Sequence, residues 1–318
     1  MSNKVEQSNR LRTKSSQPIW LRIKRNNQNQ MRKTGVSTYF FFIPAIICVL
    51  AILAYPIGKT LYLSFTDSEG LLPPVFIGLQ NYQNFLVDPV LRATLTNVLI
   101  WTVATLVLPV FIGLVIATMV SGVTGSAIYR MIFLLPYVLS GVAVGALWFN
   151  IFETEGLLNK FLVSVGLESF VNSWLLYYPQ NTASMIIAAT WASTGLVVVL
   201  FTVGIQNVPL HTVEAATIDG ANSWVLFWKI IWPQLRYIRA VVIGTSLANS
   251  LRTFDIVWVM TGGGPSRSSE TLAVTMYREA FLLNRYGYGS AIAVFLMLLV
   301  VTVSVLSLRG GLKKEATL

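Results

Sequence analysis

Apolar positions in this chain gather in long blocks rather than in short periodic stripes. Six blocks reach or approach the roughly 20 residues that a membrane-crossing helix needs: 39–57, 98–120, 131–151, 183–205, 240–260 and 291–308. Backbone in hydrocarbon must satisfy its own hydrogen bonds, so these blocks are predicted as helices. Pro44, Pro56, Pro109 and Pro136 fall within or at the ends of blocks and predict local kinks. The expected fold class is all-α, a polytopic membrane protein of about six transmembrane helices. The first block lies too far from the start for a cleavable signal, and no small-x-small site follows it.

Composition agrees with the blocks. Of 318 residues 54% are hydrophobic and 11% charged, under half the charged share of a soluble domain. One cysteine, Cys48, excludes a disulfide within the chain, and one histidine, His211, excludes a His/Cys metal cluster. The net charge of +10 is concentrated before residue 34, in Lys4, Arg10, Arg12, Lys14, Arg22, Lys24, Arg25, Arg32 and Lys33. These alternate with Ser, Asn and Gln and lack the aromatic interleaving of a nucleic-acid surface. They predict a polar tail held against an anionic leaflet. With both ends on the cytoplasmic side, sixteen basic residues fall inside and six outside, as the positive-inside rule requires. The expected organisation is a basic tail over 1–35, a membrane domain over 36–310 and a short tail over 311–318. Short amphipathic stretches, 270–283 among them, are expected to lie along the outer surface.

The most informative stretch is 208–233. Pro209 suits a first helical turn. Residues 210–219 can form a short helix rich in good formers, and Gly220 can take the left-handed conformation that ends a helix. Ser223 can cap the next helix, which runs toward Pro233. Glu214 with Ala215 and Ala216 makes a small, flat, acidic surface on which another backbone can come close and an arginine can pair. From chemistry alone this is either a docking surface or a solvated connecting helix.

The pattern Glu214-Ala215-Ala216, Asp219-Gly220-Ala221, Phe227, Ile230 and Pro233 resembles the "EAA" loop of permease subunits of binding-protein-dependent ABC importers. Trp232, Arg239 and the lead-in His211, Thr212 and Val213 depart from that pattern without removing a docking residue. Pro44, Tyr55-Pro56, Leu63 to Asp67, Gly78 to Tyr82, Leu134 to Tyr137, Gly156 to Asn159, Arg252 to Asp255 and Val259 to Pro265 are similar to the maltose-transporter branch for carbohydrates. The resemblance implies a type I importer permease fold in a bacterial cytoplasmic (inner) membrane. It implies that loop 206–237 couples to separate ATPase subunits through Glu214, Ala215, Ala216, Asp219 and Gly220. It implies as partners a second homologous permease subunit, two ATPase subunits, an extracytoplasmic solute-binding protein, a carbohydrate substrate and membrane lipid. ATP and Mg would be used in the ATPase subunits, with no cofactor in this chain.

The fifth block carries Asn249, Arg252 and Asp255, three residues apart each time and so near one helical face. An arginine at mid-bilayer costs about 3 kcal/mol on insertion scales, and Asp255 can offset it as an i,i+3 pair. These residues line a substrate pathway, with Trp258, Trp148 and Trp191 supplying rings for sugar faces and Phe254 and Tyr137 at similar depth, or they form a structural ion pair with the aromatics as core or interface belt. One arginine beside one carboxylate favours a neutral carbohydrate. An anionic saccharide or a glycerol-phosphate-type substrate requires basic groups from a partner.

The glycine run Thr261 to Pro265 lacks the Gly-Lys-Ser/Thr ending of a phosphate loop. No Gly-x-Ser-x-Gly turn occurs, and no catalytic constellation is found. The chain is therefore expected not to hydrolyse ATP itself. A secondary transporter would show paired repeats with broken helices, and no second half is visible.

Overall fold

The computed structural model describes residues 36–70, 73–123 and 125–312. The basic tail over 1–35 and nearly all of 311–318 lie outside the described residues. The chain divides into two compact units, Met1–Lys59 and Thr60–Leu318.

The described part of the first unit is helical: α1 (Val36–Val49), a π-helical turn (Leu50–Ala54) and α2 (Tyr55–Leu63), which runs past the unit boundary. Pro56 has no N–H to offer the preceding turn, and the wider turn before it accommodates the missing bond.

The second unit opens with a short antiparallel pair, β1 (Thr66–Asp67) and β2 (Val75–Phe76), with Thr66 opposite Phe76. Helix α3 (Gln80–Val87) leads to α4 (Pro89–Ser121). Asp88 caps α4, its Oδ1 accepting from Val90 N at 2.8 Å, and Pro89 occupies the first turn, where a missing N–H costs nothing. Then come α5 (Ser126–Val138), α6 (Gly141–Phe152), α7 (Leu157–Ser164) and α8 (Gln180–Gln206). A helical loop holds α9 (Leu210–Ile218), α10 (Ser223–Val225), a π turn (Leu226–Ile231) and α11 (Trp232–Gln234). The chain returns through α12 (Arg236–Leu251) and α13 (Asp255–Thr261), turns back in α14 (Leu272–Tyr277) with a π turn (Arg278–Leu282), and ends in α15 (Tyr286–Leu312).

Helix α8 is the axis, with half of its apolar window buried against 22% for α4 and α15. It packs along α4 at backbone-close range: a Cβ on Gly113 would come within 2.6 Å of Val197. Gly195 lies against the Phe133 carbonyl of α5, closer than any side chain would permit. Trp101, Met185, Ile186, Val257 and Val274 fill one core cluster, and Ala117, Val197, Phe201, Leu235 and Val242 another.

Among the described residues, four helices are long and apolar enough to cross a membrane: Phe42–Leu63, Pro89–Ser121, Gln180–Gln206 and Tyr286–Ser307. Two of the six expected spans depart from a straight helix. Block 131–151 is split between α5 and α6 at Leu139–Ser140, in a pair bent by 90° that counts as a fifth span if taken together. Block 240–260 is split between α12 and α13 at 252–254, and neither piece, of 16 and 7 residues, is long enough to cross a membrane alone. Hydropathy averages across such breaks and hides them.

The stretch 270–283 also departs from expectation. It does not lie along the surface: Leu272, Ala273, Val274, Thr275, Glu279 and Ala280 are buried.

Candidate translocation groove and docking loop

Both broken helices stop for local reasons. Leu139 and Ser140 are extended, and Ser140 Oγ accepts from Ala143 N at 3.2 Å, capping α6. At the other break the Arg252 side chain folds back on its own helix. Its Nε donates to Ala248 O and its Nη2 to Asn249 Oδ1 at 3.0 Å, satisfying groups at the helix C-terminus. Thr253 O accepts from Thr271 Oγ1 at 2.6 Å rather than continuing the ladder.

The breaks meet. A Cβ on Gly141 would lie 2.6 Å from Asp255 Oδ2. The carboxylate therefore sits in the first turn of α13 and against the first residue of α6, where two helix N-termini favour negative charge. The expected Arg252–Asp255 ion pair does not form among the described residues. The i,i+3 geometry assumed a continuous helix, and the break at 252–254 removes it.

Beside the junction lies an open groove with about 500 Å³ of free space, lined by Thr105, Tyr137, Ser193, Thr245, Ser246, Asn249, Ser250 and Thr253 among others. None of its lining side chains is charged. Several of the hydroxyls spend their proton on their own helix: Ser193 on Ala189 O, Thr245 on Val241 O, Ser250 on Leu247 O and Thr253 on Asn249 O. Their oxygens keep lone pairs for an incoming donor. Asn249 accepts from Arg252 with Oδ1, which orients Nδ2 as the donor. The groove thus offers acceptors with one strong amide donor.

Of the residues expected on a substrate pathway, Asn249 and Tyr137 line this groove. Arg252 and Asp255 flank it, both exposed. Trp148 and Trp191, ring centroids 5.8 Å apart, line a separate apolar cavity of about 1120 Å³ with Leu108, Ile112 and Phe133. Trp258 lies elsewhere again, stacked on Phe254 at 5.8 Å. The expected pathway residues are thus divided between the groove, its flank and the aromatic packing around the core. The groove hydroxyls carry no signal in the sequence, because single Ser and Thr residues are ordinary in membrane helices.

The loop after α8 is built as its residues direct. Gly220 has φ +83°. Ala221 N donates to Ala216 O and Gly220 N to Thr217 O, the paired bonds of a Schellman end that needs a left-handed residue. The next helix is capped by Asn222, whose Oδ1 accepts from Val225 N at 2.9 Å, and not by Ser223. Glu214, Ala215, Asp219 and Gly220 are exposed and Ala216 half-buried. Ile218 is 85% exposed, Trp224 72% and Leu210 69%.

At the opposite end, reached by Asn181 donating to Gly264 O, lies a charge network that reading the sequence missed. Glu270 is fully buried between Arg267 (3.0 Å) and Arg278 (2.6 Å), and also accepts from Thr275 Oγ1. Glu279, 1% exposed, meets Arg267 and Arg285, each at 3.0 Å. Burial alone would lower the Arg267 pKa, but hydrogen bonds and charge from Glu270 and Glu279 raise it above its ordinary value. Arg278 also donates to Gly262 O and Asn97 to Glu270 O, which ties the glycine run to α4.

Residues 109–314 match the family described as the binding-protein-dependent transport system inner membrane component. The chain belongs to this family. The permease is 35% identical over 276 residues to the osmoprotective compounds uptake permease protein GgtC of Synechocystis sp., covering 85% of this chain and 96% of that one. It is 31% identical over 278 residues to the multiple sugar-binding transport system permease protein MsmF of Streptococcus mutans, covering 87% and 95%. Against the alpha-glucoside transport system permease protein AglF of Rhizobium meliloti it is 30% identical over 297 residues, covering 91% and 86%. In fold it is similar to a chain of a bacterial ABC transporter involved in the import of the acidic polysaccharide alginate, with TM-score 0.72 and 20% identity over 92% of this chain and 98% of that one. Family and apolar helices together make the permease a membrane protein.

Proposed function

We propose that this permease is one half of the membrane pathway of an ATP-driven ABC importer that carries a neutral carbohydrate by alternating access. The observation that carries the reading is the meeting of two broken helices at Gly141 and Asp255 beside an uncharged, hydroxyl-lined groove. Irregular backbone at membrane depth is tolerated where it lines a wet cavity or is buried in protein. Acceptor-rich walls with the Asn249 amide suit a polyol. The names of AglF and MsmF support a sugar. In this reading Asn249, Arg252 and Asp255 belong to the pathway, and Trp148, Trp191 and Trp258 support it from outside the groove.

The Glu-Ala-Ala loop docks in a separate ATPase subunit, where Glu214 pairs with a basic residue and Gly220 sets the turn. ATP and Mg act in two such subunits, and this chain is not itself an enzyme. A second permease subunit completes the pathway. An extracytoplasmic solute-binding protein delivers the sugar, a role supported by the similar alginate transporter, solved in complex with a pentasaccharide-bound periplasmic protein. Both termini and the Glu-Ala-Ala loop face the cytoplasm of a bacterial inner membrane.

Glu214→Lys tests the coupling. Glu214 is exposed, so reversing its charge is expected to leave insertion and melting unchanged while abolishing uptake in cells. Normal uptake in that variant removes the loop from coupling.

A further inference from the structure

A row of rings starts where the groove ends. Phe254 follows the groove residue Thr253 and stacks on Trp258, centroids 5.8 Å apart and planes 11° from parallel. Tyr277 stands edge-on to both, at 5.2 Å and 5.0 Å. Phe281 follows Tyr277 at 5.4 Å, and Tyr286 follows Phe281 at 6.4 Å. The steps are close to the length of one pyranose unit.

The row leaves the core: Phe254 and Trp258 pack against the cluster of Val257 and Val274, and the later rings stand away from it. Phe281 is 59% exposed, and Phe254, Trp258, Tyr277 and Tyr286 are half-buried. Its backing is rigid: Val274, Glu279 and Ala280 are buried behind it, and the Arg278 guanidinium lies 5.7 Å over the Trp258 ring while held by Glu270. Rings locked this way lose little entropy on binding, and the Tyr277 and Tyr286 hydroxyls add polar handles. Flat faces with hydroxyl edges match the alternating CH and OH surfaces of a saccharide.

We propose that Tyr277, Phe281 and Tyr286 form a short aromatic track on the far side from the Glu-Ala-Ala loop, backed by the stacked pair Phe254 and Trp258, which holds a saccharide chain and guides it to the groove at Thr253. The occupant rests on the carbohydrate reading above. The track extends that reading to a substrate longer than one sugar unit.

The test uses the full chain with its importer partners in cells, in a Cys48→Ser background. With a membrane-impermeant maleimide added outside, Phe281→Cys and Tyr286→Cys are expected to react about tenfold faster than Leu298→Cys, an apolar control on α15. Equally slow labelling of all three means that lipid or protein covers the rings, and overturns the track. Tyr277→Leu is expected to raise the KM for uptake of the longest saccharide the parent carries about fivefold, and Tyr277→Phe, which keeps the ring and loses only the hydroxyl, by less than about twofold. An unchanged KM with leucine, or an equal rise with phenylalanine, overturns the stacking role. A parent importer that carries no saccharide overturns the occupant together with the carbohydrate reading. Fast labelling with no saccharide uptake therefore separates that failure from failure of the track.

Discussion

The two ends of the permease use the same parts and reach opposite states. Each has a glycine at φ +83°, Gly263 at one end and Gly220 at the other. Each has a π-helical turn, 278–282 and 226–231. Each has two acids. At the glycine-run end Glu270 and Glu279 are buried, every arginine pairing made within the chain. At the Glu-Ala-Ala end Glu214 and Asp219 are exposed and have no ion pair among the described residues. Large apolar side chains stand out beside them. A buried carboxylate is costly unless paired, so the first arrangement holds only because three arginines converge on two glutamates. The second needs no such closure. An open surface of this kind is what the proposed docking requires.

Glu270→Ala is the strongest way to break the contrast. It leaves Arg267 and Arg278 without their shared carboxylate and Thr275 without its acceptor. Removing one partner of a buried pair costs about 3–5 kcal/mol, so a large fall in folded yield and in melting temperature in detergent is expected. An unchanged melting temperature means that the network is dispensable and that both ends are equally open.

Gly287→Ala strikes the same end with a smaller effect. The Gly287 backbone lies against the Thr66 carbonyl, with Ser68 N 3.0 Å from where a Cβ would stand. The methyl forces α15 and the β1 segment apart, at about 1–3 kcal/mol for overpacking. A thermal shift assay reads this. A melting temperature equal to the parent shows that the segment yields freely and that the end is less rigid than its contacts imply.

The contrast was only partly legible in the sequence. The runs that became α4, α8 and α15 are apolar over their whole length, and one fact, hydropathy, decides them. Gly220 was legible because only a left-handed residue closes that turn. The cap beside it was not, since Asn222 and Ser223 are adjacent and both can cap. The breaks at Ser140 and Arg252 were hidden because each depends on one side chain, Ser140 capping the helix that follows and Arg252 folding back on the helix before it. The buried network was hidden because Arg267, Arg278 and Arg285 surround Glu270 and Glu279 only after α14 turns into the body. The groove was half legible. Asn249 stands out as an amide in an apolar run, while Ser193, Thr245 and Ser250 come from helices whose convergence no spacing reveals.

The smallest expected change in stability comes from Ile218→Ser at the open end. Ile218 is 85% exposed at the last turn of α9, and a surface substitution of this kind shifts stability by about 0.5 kcal/mol or less. The melting temperature of the isolated chain should not move. If the exposed side chain fills a pocket in an ATPase subunit, its loss removes a buried contact from that interface alone, worth about 1.5–3 kcal/mol for a fully covered isoleucine. Co-purification of the ATPase with the tagged permease should then fall about tenfold or more. A fall in melting temperature instead would place Ile218 inside the permease's own fold. Full retention of the ATPase would confine docking to the Glu214 face and shrink the open surface accordingly.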